Sequence, residues 1–253
     1  MKGQYINVDD RRNIMTKRKL ETCFSPALYE PAGYSDSIVV IIDILRASSA
    51  ICTAFANGAF EIIPVADISE AKEYKSKGYL VAAERDGYVL EFADFGNSPF
   101  NFIREKVEGR TIVYSTTNGT GIINLASSAY MTVIGSFLNI GAVCRWLHDQ
   151  KRDILLFCAG WKNRFNLEDS LCAGAMAERL FQTGFYSSIC DSTLAAMDLW
   201  SLAKKDLPAY IGKVAQCTRL RDKGLDDCIG FCLTPDFTEK IPVLRNGILI
   251  DTL

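Results

Sequence analysis

Six short, almost uninterrupted runs of β-branched and other apolar residues constrain this chain more than any other feature. They are SIVVIIDIL near 37–45, FEIIPV near 60–65, YLVAA near 79–83, TIVYS at 111–115, MTVIGS at 131–136 and DILLFCAG at 153–160. A strand with one wet face alternates polar and apolar residues, whereas a continuous run fits a strand covered on both faces. Helical patterns lie between several of them, as in SEAKEYKSKG, LNIGAVCRWLHDQ and LEDSLCAGAMAERLFQTG. This alternation predicts an α/β fold, three-layer α/β/α, with a mostly parallel sheet. Beyond residue 190 the texture changes to two to four helices. IPVLRNGILI then predicts a strand pair turning at Asn246-Gly247. With no linker, repeat or low-complexity block, residues 1–253 are expected to form one unit, and any subdivision near 190 has no readable boundary.

Hydrophobic residues make up 49% of the 253 and charged residues 23%, which excludes general disorder. The 28 basic and 30 acidic residues give a net charge of −2 and argue against a nucleic-acid surface. Nine cysteines, odd in number and scattered, sit in several cases inside apolar runs, so they read as small hydrophobes in a reducing cytoplasm. CIGFC, at Cys228 and Cys232, has no partner pair with zinc-site spacing. Asp9, Asp10, Arg11 and Arg12 precede any apolar run, unlike a signal peptide, and IVVIID is too short to cross a bilayer. No membrane association is expected.

In open α/β sheets ligands bind beyond the carboxyl ends of the strands. Four such places are polar: DILRASS from Asp43, AERDG with the downstream DFGNSP, STTNGT from Ser115, and CAGWKNRFNLED from Cys158. A helix starting near Gly121 would surround its N-terminus with Thr116, Thr117, Asn118 and Thr120, where backbone N–H groups favour an anion. The plainer alternative is that Thr117 or Asn118 only caps the helix, with Gly119 easing the turn. In DILRASS, Asp43 offers a carboxylate for a cation and Arg46 a fork for an anion, unless the two simply pair with each other. NLEDSLCAGA starts another helix, with Asn166 as the expected cap. Glu168 and Asp169 fall in its first turn, where the dipole favours them and where adjacent carboxylates can also hold Mg2+.

VVIIDILRASSAICTAFANGA, AERDG, FADFGNSP, STTNGTGII, GSFLN, CAG and FNLEDSLCAGA, in this order, resemble the 2-phosphosulfolactate phosphatase family, densely from Ile38 to Gly174. The resemblance implies an α/β/α phosphatase that uses Mg2+ to convert 2-phospho-3-sulfolactate, a small phosphorylated substrate with three anionic groups, to 3-sulfolactate and phosphate. The family's motifs fall on Asp43, Leu45, Arg46 and Ala47, on Glu84 and Arg85, and on Gly96, Asn97, Ser98 and Pro99. They fall also on Thr116 through Thr120 and on Leu167, Glu168 and Asp169. Where the family often has an acid after the Asn-Ser-Pro element, this chain has Asn101. On this basis Asp43, Glu168 and Asp169 are expected to hold Mg2+ or activate water, with Arg46 and Asn118 completing the catalytic set. Arg85, Asn97, Ser98, Thr116, Thr117, Gly119 and Thr120 are expected to bind substrate. A homodimer is compatible with the sequence.

Two other functions stay open. Cys158 to Arg164, CAGWKNR, has the C-x5-R spacing of cysteine-dependent phosphatases, although Trp161 and Asn163 fit the tight loop of that class poorly. A protein that binds a phosphorylated metabolite without hydrolysing it is the non-catalytic reading. His148, the sole histidine, is expected on a helix surface near its C-terminus, away from the strand ends.

Overall fold

The computed structural model describes residues 17–252, so the Asp9–Arg12 run lies outside the described part. Each of the six apolar runs forms a strand: β2 (Ile38–Ile42), β3 (Glu61–Pro64), β4 (Leu80–Arg85), β6 (Thr111–Ser115), β7 (Met131–Gly135) and β8 (Ile154–Cys158). They are joined by β1 (Arg18–Cys23), β5 (Tyr88–Val89), β9 (Tyr186–Ser187), β10 (Pro242–Arg245) and β11 (Ile248–Asp251). β1 escaped notice because its pattern, RKLETC, mixes polar residues into a short stretch.

The continuous apolar character has the expected cause. In β2, Ile38, Val40 and Ile42 enter one core, while Val39 and Ile41 enter another on the opposite face. β8 divides in the same way, with Ile154, Leu156 and Cys158 on the first side and Leu155 and Phe157 on the second. Period-two geometry demands both faces be apolar when both are covered.

Strand order among the described residues is β5-β4-β6-β3-β11-β10-β7-β2-β8-β1-β9. The sheet is mixed and mostly parallel, as an α/β fold requires. Its antiparallel centre is the β10–β11 hairpin, which pairs with β7 on one side and β3 on the other. Asn246 and Gly247 turn that hairpin with φ of 51° and 81°, the left-handed values a two-residue turn needs. The two parallel groups therefore run in opposite senses along the sheet. Right-handed twist of roughly 20–25° per strand accumulates between them. Val39 and Ile41 of β2 share a core with Ile112 and Tyr114 of β6.

Helix α1 (Ala47–Ala56) lies in this shared core, buried along its length up to Phe55. Its small residues permit close approach. Its hydroxyls bond inside the protein: Ser49 Oγ donates to the Ile44 carbonyl at 2.8 Å and Thr53 Oγ1 to the Ser49 carbonyl at 2.8 Å. The remaining α-helices among the described residues are α2 (Ile68–Ser76), α3 (Arg104–Val107), α4 (Gly119–Leu125), α5 (Ile140–Gln150), α6 (Leu167–Gln182), α7 (Asp191–Ala203), α8 (Leu207–Ile211), α9 (Ala215–Arg221) and α10 (Ile229–Cys232). α2 covers a small third core of Val65, Ala71, Val81, Ala83 and Val113. The helices after residue 190 bury Ala203, Ile211, Val214, Cys217 and Leu220 in the same cluster as Val40 and Leu156. Residues on both sides of 190 thus share one core.

All nine cysteines are free, and all but Cys190 are buried, as small hydrophobes would be. No helix of the described residues is long and apolar enough to cross a membrane. His148 lies in the last turn of α5, half-buried, with its ring edge-on to Phe185 at 5.6 Å.

Candidate active site

A cleft of about 480 Å³, counted to its open mouth, gathers residues from four strand ends and from α9. Its lining includes Asp43 and Arg46 after β2, Glu84 at the end of β4, Thr116, Thr117 and Asn118 after β6, Trp161 after β8, and Asn97. Gln216, Arg219 and Lys223 close it from the C-terminal part of the chain. Of the residues expected from sequence, Asp43, Arg46, Asn97, Thr116, Thr117 and Asn118 line this one space.

The β2 end is fixed from both directions. Asp43 accepts a bond from Ala47 N at 3.3 Å through Oδ1, and its own N–H donates to Ser48 Oγ at 2.9 Å. Arg46 is 4% exposed, yet no carboxylate among the described residues lies within ion-pair distance of it. Its guanidinium donates instead to Asn97 Oδ1 at 2.8 Å and to the Leu225 carbonyl at 3.4 Å. Both acceptors are neutral. The simple Asp43–Arg46 pair is therefore not what holds this arginine. Cys228 lies beside it, its thiol drawn down to about 7 by hydrogen bonding with Cys232 and by the Arg46 charge.

The loop after β6 divides its labour. Helix α4 starts at Gly119, two residues before the expected start. Thr116 Oγ1 accepts from Thr120 N at 3.2 Å, and Thr120 Oγ1 accepts from Thr116 N at 3.3 Å, so these hydroxyls close the turn on each other. Thr117 is bound to Glu84, with N to Oε1 at 2.7 Å and Oγ1 to Oε2 at 3.2 Å. Glu84 also takes Gly87 N at 2.6 Å. Asn118 occupies the cap position, makes no side-chain cap bond and lines the cleft. A Cβ on Gly119 would stand 2.6 Å from Ala47 Cβ and 3.2 Å from Asp43 Oδ2. Glycine there lets α4 start directly against the first turn of α1.

Six predicted residues, Arg85, Ser98, Gly119, Thr120, Glu168 and Asp169, are not part of the cleft lining. Arg85 donates to the Glu84 and Ala66 carbonyls at 2.6 and 3.0 Å and to Ser115 Oγ at 3.0 Å, tying strand ends together. Ser98 is partly buried, with a hydroxyl that finds no partner. Asp169 is fully buried and accepts from Ile44 N at 2.9 Å, Gly160 N at 3.3 Å and Asn166 Nδ2 at 2.7 Å. It brackets the ends of β2 and β8, and so positions Asp43 through the next peptide. Asn166 sits at the α6 cap position without a side-chain cap bond and gives its amide to Glu168 and Asp169 instead.

The buried carboxyls act on one another. Asp43 is pushed up to about 7, first by burial and then by the charges of Glu168 and Glu84. Burial raises Glu168 too, against the opposing charge of Arg219. Asp169 rises by burial and by the charges of Asp43 and Glu168. Glu168 is 2% exposed, and its Oε2 has no hydrogen-bond partner. An orphaned carboxylate oxygen beside surplus negative charge suits a hard cation. No group of three or more His, Cys, Asp or Glu among the described residues could hold an ion by itself. Mg2+ takes only one or two protein carboxylates and completes its shell with water and phosphate oxygens, so Asp43 with Glu168 fits it.

The cysteine alternative meets a different geometry. Cys158 is fully buried, and burial holds its thiol far above the ordinary range, with Asp169 and Cys172 adding to the rise. Arg164 is exposed, its backbone paired with Trp161 across a tight turn. A nucleophilic thiol needs the reverse, a lowered pKa and access.

Glu84, Trp161, Gln216, Arg219 and Lys223 were not among the expected site residues. AERDG gave a signal for Glu84. Nothing local marks the α9 residues, because a polar helix face at i, i+3 spacing is what solvent also selects.

A family profile described as 2-phosphosulpholactate phosphatase matches residues 23–247. A Thermotoga maritima protein named "Probable 2-phosphosulfolactate phosphatase" is 40% identical over 211 residues, covering 83% of this chain and 90% of its own. A protein of the same name from Caldanaerobacter subterraneus subsp. tengcongensis is 38% identical over 216 residues, 83% of this chain and 89% of its own. Another, from Clostridium perfringens, is 31% identical over 235 residues, 90% of this chain and 94% of its own. With strand-end polar loops meeting in one cleft and this match over most of its length, the chain belongs to the 2-phosphosulfolactate phosphatase family, a family of phosphoric monoester hydrolases.

Proposed function

We propose that this protein hydrolyses the phosphate ester of 2-phospho-3-sulfolactate, or of a closely related small 2-phospho acid, with the help of Mg2+. The observation that carries this reading is Arg46. A guanidinium 4% exposed donates to two uncharged oxygen acceptors, Asn97 Oδ1 and the Leu225 carbonyl, and has no carboxylate of the described residues within ion-pair distance. Such a charge is costly until an anion meets it. A phosphoryl group does so through two parallel bonds that lysine cannot copy.

The chain's own residues then have distinct tasks. Arg46 orients the phosphoryl oxygens, and Asn97 holds Arg46 in place at 2.8 Å. Asn118 lines the same space, and its amide, free of the helix cap, serves as a donor against charge that grows as the ester bond breaks. Asp43, with a carboxyl at about 7, can hold or release a proton near neutral pH, or serve as an anionic ligand once a cation offsets its neighbours. Glu84 is occupied by the Thr117 and Gly87 backbones, so its work is to set the loop. Asp43 and Glu168 would hold Mg2+, which would add fixed positive charge beside the phosphoryl group.

Phosphate release from 2-phospho-3-sulfolactate and from p-nitrophenyl phosphate, with and without EDTA and with and without a thiol reagent, tests this reading. Turnover that EDTA abolishes and thiol reagents spare is expected. Tight binding of the sulfolactate ester with no phosphate release would favour the non-catalytic binder instead.

A further inference from the structure

The proposed reaction needs one anion site, yet a second guanidinium lines the same cleft. Arg219 is presented by α9, which lies more than 170 positions from Arg46 in sequence but lines the same cleft. Its Nε donates to Gln216 Oε1 at 2.7 Å, one helical turn away. Gln216 is itself fixed, with Nε2 donating to the Leu45 carbonyl at 3.1 Å, next to Arg46. The guanidinium carbon of Arg219 lies 4.6 Å from the Trp161 ring centre, so its plane is supported from one side. The side chain is therefore preorganised while half-buried. No carboxylate of the described residues lies within ion-pair distance of it.

Lys223, the other cation on this wall, is engaged elsewhere. Its ammonium donates to the Asp86 carbonyl and lies 5.0 Å from the Tyr88 ring, clipping the segment after α9 to the β4–β5 hairpin. Of the two, Arg219 has its fork free. Its terminal nitrogens, unlike Nε, find no acceptor among the described residues.

We infer that Arg219 receives a second anionic group of the substrate, a carboxylate or a sulfonate, while Arg46 takes the phosphoryl group, so that α9 sets the substrate class. This rests on the phosphatase reading for its chemistry, but its binding claim can be measured alone. Two guanidinium forks lining one small cleft select a compact molecule bearing two or more anions and gain nothing from a simple phosphomonoester. Asp43, Glu84 and Asp86 on the remaining wall oppose an anion placed there, which steers the second charge toward Arg219. The competing role is electrostatic, since Arg219 lowers the carboxyl of Glu168 from a distance. That role would act on the chemistry of every substrate alike.

The test uses Arg219→Gln, which keeps a polar side chain but removes the charge and the guanidinium fork. The ratio of kcat/KM for 2-phospho-3-sulfolactate over that for p-nitrophenyl phosphate is expected to fall about 10- to 100-fold, mostly through KM. Including 2-phospholactate, which lacks the sulfonate, separates the two anions: selectivity against it that survives in the variant assigns the carboxylate to Arg219, and selectivity lost assigns the sulfonate. Calorimetric binding of 3-sulfolactate, which needs no turnover, is expected to weaken by a similar factor. An unchanged ratio, or unchanged 3-sulfolactate binding, would overturn the inference. Wild-type protein that binds 3-sulfolactate through Arg219 yet releases no phosphate from any ester would defeat the phosphatase reading and leave this one in place.

Discussion

Asn118 shows how one side chain can separate a structural role from a chemical one. Asparagine at a helix start normally caps it, and replacing such a cap with alanine costs about 1 kcal/mol. Here the turn is closed by Thr116 and Thr120, and Asn118 makes no cap bond. Asn118→Ala should therefore leave the urea midpoint close to wild type while kcat falls about 10²–10³-fold, the range for losing one fixed donor to developing charge. A less stable, fully active variant would return Asn118 to the role of cap. At Arg46 the sequence offered two readings that only partners could separate. Neutral acceptors around a buried guanidinium favour the anion site, so Arg46→Lys should raise KM and lower kcat, as measured by initial rates on the sulfolactate ester. Asp169 moved in the opposite direction. Its motif marks it as a site residue, but its two oxygens are occupied by the Ile44 and Gly160 N–H groups and the Asn166 amide, a bracket that no spacing reveals.

The elements meet the site through two close backbone approaches. Gly119 has an ordinary negative φ, so its need for glycine comes from packing: a Cβ there would be 2.6 Å from Ala47 Cβ. Gly119→Ala should cost about 1–3 kcal/mol by overpacking the junction of α4 with α1, read from the urea midpoint. Adding Ala47→Gly should return part of the loss, which a cost of backbone conformation would not allow. Gly160 serves differently, with φ of 64° and with the Arg164 carbonyl 2.3 Å from any Cβ placed on it. The tight turn it allows brings Trp161 under Arg219. That is why a residue ill suited to a cysteine-phosphatase loop belongs in this one. The β10–β11 hairpin was legible from Asn246-Gly247, but its place in the middle of the sheet was not, since pairing partners far apart in sequence leave no local mark.

At the scale of the whole molecule, the site burdens the fold in a pH-dependent way. Asp43 is raised from 3.8 to about 7, and burial moves Glu168 and Asp169 in the same direction. A carboxyl raised in the folded state binds more protons there than in the unfolded chain, so its penalty is absent below about pH 4 and grows until the pH passes about 7. The metal-free protein should thus lose stability between pH 5 and pH 8. Asp43→Asn should remove on the order of 2–4 kcal/mol of that loss, checked by urea midpoints at both pH values in EDTA. Mg2+ should raise the wild-type midpoint at pH 8 more than at pH 5, and raise it less in the Asn variant. The apolar runs by themselves determined the α/β class and the positions of six strands, because burial on both faces needs continuous hydrophobicity that any reader of the chain can see. Asp43, Arg46 and the Thr116–Asn118 loop were also visible, since polar residues ending a buried strand stand out against what precedes them. Only the tertiary structure brought α9 to the cleft, set Glu84 to hold the loop and turned Asp169 inward. Those roles depend on which groups meet across long sequence separations, and a helix face that lines a site carries the same polar pattern as one that faces water.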